Sequence, residues 1–545
     1  MEQYPELLRT LLRNRGISTV EDAERFLNPI YERDLHDPFL IAGMDLAVER
    51  IIRAISSGEK IVVYADYDCD GIPGGVVLND FFEKIGYSNF SVYIPHRYAE
   101  GYGLNAEAVE KFAAEGVTLV ITVDNGITDV AEVALAESLG INVILTDHHL
   151  PGPELPPAFA ILNSKQEKDA YPYPMLCGAG VAFKLVQALL KTGRFDVPAG
   201  WEKWLLDAVG ISTVADMVPL DGENRALAYF GLKVLRQTRR PGLLQLFRKI
   251  RLSPDTLSEE NIGFDIGPRI NAASRLGEPK NGFRLLATRD VVEAGALADY
   301  LEEKNALRKT LVKDIIAEAI ADMNADDPII VVGRPSWLPG IAGLVASRLA
   351  EEFGRSAFVW GAEGAPHGKG SCRSDGTVNM VSFMQSAEAG TFLDFGGHEA
   401  SGGFSISDAE APLLRERLLR AYERVDKKGT KNSGIEPDCD LSIDEVNEKI
   451  YALVSRLAPF GVGNPRPLFR FPELRVLRAE VFGKAGNHTK LVFQKSNGQR
   501  VSAIRFFSPP TVRAGDTIKL LAHLEKSFFG KTPELRLRIS SFSEV

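Results

Sequence analysis

At 545 residues the chain is long enough for about three to four domains of average size and too long for a single small module. With 45% hydrophobic and 25% charged residues, 49 Gly and 30 Pro, it reads as a folded globular protein and not as a disordered, collagen-like or disulfide-stapled one. A net charge of −10 speaks against a uniformly basic, phosphate-binding surface. Four widely spaced cysteines (Cys69, Cys177, Cys372, Cys439) with no C-x-x-C pair argue against structural zinc and against an oxidising compartment. The opening MEQYPELLRT lacks the signature of a secretory signal, and no apolar run approaches about 18 residues. The expected setting is a reducing cytoplasm with no membrane partner.

In chain order, residues 1–40 read as a helical lead-in. Four short apolar runs come next: IVVYA (61–65), SVYI (91–94), TLVITV (118–123) and NVILT (142–146), each a buried strand by its pattern. Amphipathic stretches near 75–85, 105–114 and 129–139 separate them, so residues 41–230 are predicted to form a doubly wound parallel sheet, with further helices near 180–193 and 202–212. Residues 231–325 read as a helical connector ending in one long helix, 291–324, about 50 Å if unbroken at 1.5 Å per residue. A second α/β pattern occupies 326–430, with PIIVVG (328–333), a helix near 340–353, AFVW (357–360), GKGSCRS (368–374) and a glycine cluster at 396–403. The polar stretch DKKGTKNSG (426–434) is a linker. Short alternating runs over 435–545 predict a small β-barrel. From Phe471 to Val545 there are 13 Lys and Arg against 6 Asp and Glu, so one module carries +7 and the remainder −17.

The chemistry lies in the segments just after the early strands. IVVYA leads into Asp66-Tyr67-Asp68-Cys69-Asp70-Gly71, SVYI into Pro95-His96-Arg97, TLVITV into Asp124-Asn125-Gly126, and NVILT into Asp147-His148-His149. Each cluster alone could be an ordinary turn. Ligands of open parallel sheets bind outside the carboxyl ends of the strands, so four such clusters should meet in one crevice. Asp66-x-Asp68-x-Asp70-Gly71 imitates half of an EF-hand loop, but position 12 is Val77 where a bidentate Glu is needed, and a strand precedes it. Carboxylates this dense require cations, and the added imidazoles favour Mn²⁺ or a related ion over Ca²⁺. Two metals about 3.5 to 4 Å apart, bridged by one carboxylate, fit the donor count and suit phosphoester hydrolysis.

DYDCDG, VDNG, TDHH and VADMVPL resemble, in order and spacing, the motifs of the DHH phosphoesterase superfamily. YIPHRYAEGYGLN, CGAGVAFKL, IGPRINAASRL, WLPGIAGLVASRL, GSCRS, GGHEASGGF and LAPFGVGNPRPLF narrow the resemblance to the RecJ family of bacterial single-strand-specific exonucleases, from about Ile61 to the C-terminus. The resemblance implies a DHH domain, a long connecting helix, a DHHA1 domain and a C-terminal OB-fold. It implies 5′ to 3′ degradation of single-stranded DNA to mononucleotides with two Mn²⁺ or Mg²⁺ ions, in recombination and repair, with single-strand binding protein and other repair proteins as partners. Asp68, Asp70, Asp124, His148 and Asp216 match the family's metal ligands, Asp124 being the expected bridge and Asp66 a ligand or supporting carboxylate. His149 matches the residue facing the scissile phosphate, while Asp147 is expected to orient its neighbours. Arg97, Arg269, Asn271, Arg275, Ser371, Arg373, Ser374 and His398 match substrate-side positions.

Phe482, Phe506 and Phe507 lie among basic residues of the tail, an arrangement compatible with base stacking. The chain departs from the family at Leu338 (commonly His), Ser274 (commonly Gly), Ser401 and Gly402 (commonly Ala-Ala) and Pro73 (commonly a hydroxyl residue). Two other functions have sequence signatures that differ from this one. DHH phosphodiesterases acting on oligoribonucleotides or cyclic dinucleotides usually carry His at the position of Tyr64 and lack an OB tail. Catalytically silent relatives have lost metal ligands that this chain keeps.

Overall fold

Ile61 to Ala65 are uninterrupted apolar residues, and the strand they build, β1 (Lys60–Ala65), is buried on both faces as the centre of a parallel sheet must be. The structure, a computed structural model, describes residues 1–427, 436–483, 486–506, 511–528 and 532–544. Phe507 lies outside the described residues. Two compact units form, one from Asp37–Asp216 with Gly231–Ser433, the other from Met1–His36, Met217–Phe230 and Gly434–Val545.

In the first unit β1, β2 (Phe90–Tyr93), β3 (Val117–Val123), β4 (Asn142–Thr146) and β5 (Ala160–Leu162) make a sheet of order β2-β1-β3-β4-β5 in which every pair is parallel. The chain steps from β1 out to β2 and returns past β1 to β3. The reversal leaves a crevice at the carboxyl ends of β1 and β3, where such sheets hold ligands. Helix Gly71–Lys84 is buried from Gly71 to Phe82, and helix Gly178–Thr192 packs against it, also largely buried. The predicted parallel sheet is present; β5, only three residues long, has no counterpart among the predicted strands.

A π-helical turn, Ile262–Ile266, runs into helix Gly267–Leu276 in the connector. Beyond it lies an unbroken helix, Val291–Asp322, capped by the Asp290 side chain, which accepts from the amides of Val292 and Glu293. Its first half buries Leu297, Ala298 and Leu301 among the connector helices, and its second half buries Ile315 and Ala319 against β6 and helix Pro339–Phe353. The long helix is thus a packed spine. The sheet it supports, with β6 (Ile330–Arg334), β7 (Ala357–Gly361), β8 (Gly368–Arg373), β9 (Asp394–Gly397) and β10 (Ser401–Ile406), has the order β6-β7-β8-β10-β9. Only β6 and β7 are parallel.

The second unit centres on seven strands, β11 (Cys439–Asp440), β12 (Phe469–Arg475), β13 (Arg478–Phe482), β14 (His488–Gln494), β15 (Arg500–Arg505), β16 (Thr517–Ser527) and β17 (Glu534–Glu544), ordered β11-β12-β16-β17-β15-β14-β13. The expected barrel needs correction. Among the described residues the end strands β11 and β13 do not pair with each other, and the sheet is not closed. Helices Glu6–Arg13 and Val20–Leu27 cover its core instead, inserting Leu8, Leu11, Leu12, Ala23 and Leu27 beside Phe469, Phe471 and Phe493. Arg225 stacks on Phe26, 3.6 Å from its ring centre, and donates to the carbonyl of Ala458 at 2.9 Å.

Candidate active site

The loop after β1 is wound so tightly that a Cβ on Gly71 would stand 2.4 Å from the Asp66 carbonyl oxygen. Asp68 Oδ1 closes the turn, accepting from the amides of Asp70 (2.7 Å) and Gly71 (3.2 Å). Asp70 turns the other way and accepts from Gly178 N (2.6 Å), Ala179 N (2.8 Å) and the Ser212 hydroxyl. Asp124, at the end of β3, has φ +64°, a left-handed conformation that Asp tolerates better than most residues. Its amide donates to Thr146 O (2.9 Å) and its carbonyl accepts from Tyr102 Oη (3.0 Å). Strained backbone held from both sides is common at functional sites.

His148 and His149 leave β4 under the control of Asp147. This buried carboxylate accepts from the amides of His148 (2.7 Å) and Ile127 (3.0 Å) and from His149 Nδ1 (2.8 Å). The bond to Nδ1 leaves His149 Nε2 as the ring nitrogen without a hydrogen bond among the described residues. His148 Nε2 lies 3.1 Å from Asp124 Oδ1, 3.5 Å from Asp70 Oδ2 and 3.7 Å from Asp216 Oδ2.

Three groups of donor atoms gather within 4.8 Å of one another: Asp66, Asp68 and Asp124; Asp124, His148 and His149; Asp70, His148 and Asp216. Asp66 Oδ1, Asp124 Oδ1 and both ring nitrogens of His148 are buried without a hydrogen-bond partner among the described residues. Leaving such atoms unanswered is costly, and divalent cations would answer the carboxylate oxygens and one of the two His148 nitrogens together. Burial first, and then the neighbouring carboxylates, push Asp66, Asp124 and Asp216 well above the usual carboxylate range. Burial pulls His148 down and so favours the neutral ring that can ligate. For His149 burial pulls the same way but is outweighed by the bond to Asp147, which raises it.

Around the cluster the predicted substrate-side residues separate by partner. A pocket of about 180 Å³ over the acids is lined also by Arg97, Asn271 and Arg275. Arg97 lies over the Tyr67 ring at 4.8 Å. Arg275 donates to Gly340 O (2.6 Å), and burial, followed by the like charges of Arg97 and Arg308, draws it down to about 9. Asn271 Oδ1 accepts the Cys69 amide (3.0 Å), so it also steadies the acidic loop. A cleft of about 790 Å³ opens between the two sheets of this unit, with Arg97, Tyr102 and His149 on one wall and Ser371 and His398 on the other. Arg373 donates to Ser347 Oγ (3.0 Å) and to Cys372 O (2.7 Å). Arg97, Arg275 and Arg373 have no carboxylate partner within salt-bridge distance among the described residues. Arg269 differs, its Nε donating to Glu302 (2.6 Å) and its Nη1 to Asp265 O (2.6 Å). Ser374 closes a turn through Val378 O (2.6 Å).

The departures have local explanations. Ser274 is buried and donates to Asn271 O (3.0 Å). Ser401 sits opposite Arg373 in the β8–β10 register, and a Cβ on Gly402 would stand 2.6 Å from Met384 Cε. Leu338 precedes helix Pro339–Phe353 and packs beside Ile341, while Pro73 is buried in the first turn of its helix. Tyr64 keeps its ring in the core and donates to Gly103 O (2.8 Å), away from the acidic cluster. Tyr102, Ser212 and the amides of Gly178 and Ala179 were not predicted, because nothing local in the sequence marks them. In the second unit Phe482, His488 and Phe506 form an aromatic cluster with ring centres 5.1 to 6.3 Å apart.

Three family models match the chain: the DHH family N-terminal domain over residues 60–213, the DHHA1 domain over 326–427 and the RecJ OB domain over 437–541. The single-stranded-DNA-specific exonuclease RecJ of Bacillus subtilis is 37% identical over 501 residues, 90% of this chain, which spans 62% of that relative's length. The Escherichia coli protein of the same name is 33% identical, covering 91% of this chain and 88% of its own. RecJ of Thermus thermophilus in complex with Mn²⁺ superposes with a TM-score of 0.83 at 28% identity, over 99% of this chain and 76% of that one. A manganese-bound exonuclease RecJ matches with a TM-score of 0.62 at 34% identity, over 70% of this chain and 95% of that one.

Proposed function

The chain belongs to the RecJ family of DHH phosphoesterases, and from that premise we propose that it is a single-stranded-DNA-specific exonuclease degrading from the 5′ end to mononucleotides. The observation that carries the reading is the acidic cluster at the switch point, whose buried, unpartnered oxygens and imidazole nitrogens match what two divalent cations require. Asp66, Asp68, Asp70, Asp124, His148 and Asp216 would hold Mn²⁺ or Mg²⁺, with Asp124 common to both. Bound there, the cations supply charge neutralisation and an activated water for in-line attack on a phosphodiester.

The remaining steps belong to side chains. Asp147 fixes His149 so that Nε2 is free to meet the scissile phosphate, and its raised pKa favours the protonated ring that stabilises developing negative charge. Arg97, Arg275 and Asn271 surround the same pocket and would take phosphate oxygens, because guanidinium groups without a carboxylate partner are open to an anion. Ser371, Arg373 and His398 line or flank the opposite wall of the cleft and would hold the strand end, which gives an otherwise indifferent metal site its direction. Cleavage requires a flexible backbone to thread this cleft, which supports single strands over duplex. Family membership also supports a cytoplasmic setting in recombination and repair, with single-strand binding protein as a partner.

The test uses labelled single-stranded and duplex oligonucleotides with each end blocked in turn, in Mn²⁺, Mg²⁺ or EDTA. Mononucleotide release from open 5′ ends of single strands, abolished by EDTA, is expected. Digestion from the 3′ end would overturn the polarity, and undiminished cleavage in EDTA would overturn the metal chemistry.

A further inference from the structure

Among the acidic residues of the site, Asp70 is anchored differently. Two of its donors are the first amides of helix Gly178–Thr192, Gly178 N at 2.6 Å to Oδ2 and Ala179 N at 2.8 Å to Oδ1. The third is the hydroxyl of Ser212, wholly buried in helix Leu206–Ala215 and bonded to Oδ1. Behind Ser212 stands Cys177, also wholly buried, its Sγ 3.1 Å from the serine oxygen. A hydroxyl has one proton, and the carboxylate is the stronger acceptor. The chain of bonds therefore runs from the Cys177 thiol to Ser212 Oγ, and from the Ser212 hydroxyl to Asp70.

The geometry has a directional result. Oδ1 is taken by Ala179 and Ser212, so the carboxylate cannot rotate, and Oδ2 is turned toward His148 Nε2, 3.5 Å away. These two atoms and Asp216 make up one of the three donor groups of the site. Asp66 and Asp68 belong to the other side of the cluster, with Asp124 between the two, and none of the three has a hydrogen bond to Ser212 among the described residues.

We propose that Ser212 is a positioning residue that sets the affinity of the Asp70, His148 and Asp216 half of the site for a divalent cation, acting through Asp70. The proposal rests on the two-cation reading of the site. Removing the hydroxyl takes away one of the two donors to Oδ1, so the carboxylate, still clamped by the amides of Gly178 and Ala179, is held less firmly and that cation site weakens while the other stays as it was. Partners of ligating carboxylates typically alter metal affinity by about 10- to 100-fold when removed.

Calorimetric titration of the metal-free full-length protein with MnCl₂ tests this, on wild type, Ser212→Ala and Ser212→Cys. The thiol of the second variant fills the space of the hydroxyl with a weak donor. Wild type is expected to take up two Mn²⁺ ions; in either variant one binding class weakens by about tenfold and the other is unchanged. Unfolding temperature in EDTA, where no metal contributes, should stay near wild type. If Ser212→Ala does not fold, Ser212→Cys alone decides. Variants that bind both ions as wild type does overturn the proposal, as does an equal weakening of both classes together with a lower unfolding temperature in EDTA. If wild type binds no Mn²⁺, the two-cation reading fails, and this inference with it.

Discussion

At the carboxyl edge of the first sheet, five carboxylates and two imidazoles of Asp66, Asp68, Asp70, Asp124, Asp216, His148 and His149 are held together with polar atoms left unanswered. In the C-terminal sheet several charges are answered close by. Arg470 pairs with Asp440 (2.6 Å), Arg478 with Glu480 (3.1 Å), Lys526 with Glu448 (3.0 Å), and Arg536 with Glu525. Such pairs leave the +7 surplus of the tail unchanged, since it already counts every acid, but where they are exposed they add little to stability. The contrast teaches that net charge is a poor guide to function. A charge that the fold has concentrated and left without a partner is a better one.

The largest effect should come from the concentrated side. Asp124→Asn keeps a residue that tolerates the left-handed backbone but removes the carboxylate shared by two donor groups. Turnover of single-stranded oligonucleotides should fall by more than about a thousandfold while the protein still binds them, judged by anisotropy. Cleavage near the wild-type rate in Mn²⁺ would mean that the acidic cluster is not the catalytic centre.

The arginines around the cleft differ in the same way. Among the described residues Arg373 has only neutral partners, whereas Arg269 is paired with Glu302. Arg373→Ala should lower the rate on 5′-phosphorylated strands by about 10- to 100-fold, much more than on 5′-hydroxyl strands, since it removes a charge-assisted bond to the terminal phosphate. Arg269→Ala should lower the unfolding temperature and leave that ratio untouched. Equal loss on both substrates for Arg373→Ala would place the 5′ preference elsewhere.

Legibility followed the range of the interactions. The predicted strands 61–65, 91–94, 118–123 and 142–146 appear as β1 to β4 within about a residue at each end, because each is a local apolar run. The convergence of their loops was also legible, since the topology of a parallel sheet dictates it. What escaped depends on distant partners. Nothing in ELLRTLLR says that Leu8 and Leu12 will pack beside Phe469, more than 450 residues away. Ser212 looks like any small residue of an apolar helix until Asp70 is set against it. Arg269 and Arg373 look alike in the sequence, and only the placement of Glu302 separates them. The barrel failed for a related reason. Alternating runs announce strands but not whether the first and last will meet.

The smallest effect concerns the tail, and the shared core limits how it can be tested. Deleting the chain from Ile435 would uncover Leu8, Leu11 and Leu12, so a loss of binding would not separate DNA contact from unfolding. A point change at the aromatic cluster is cleaner. Phe506 is 40% exposed, and its ring stands edge-on to His488 at 5.4 Å. If the tail holds single strands by stacking and not by charge, Phe506→Ala should weaken binding by roughly fivefold, about 1 kcal/mol, the low end for a stacked base. Because no cation is removed, the slope of log Kd against log salt should stay as in wild type. Cleavage of short oligonucleotides at saturating concentration should not change. Unaltered affinity would remove Phe506 as a stacking platform. A changed slope with altered affinity would show that the tail works through its cations.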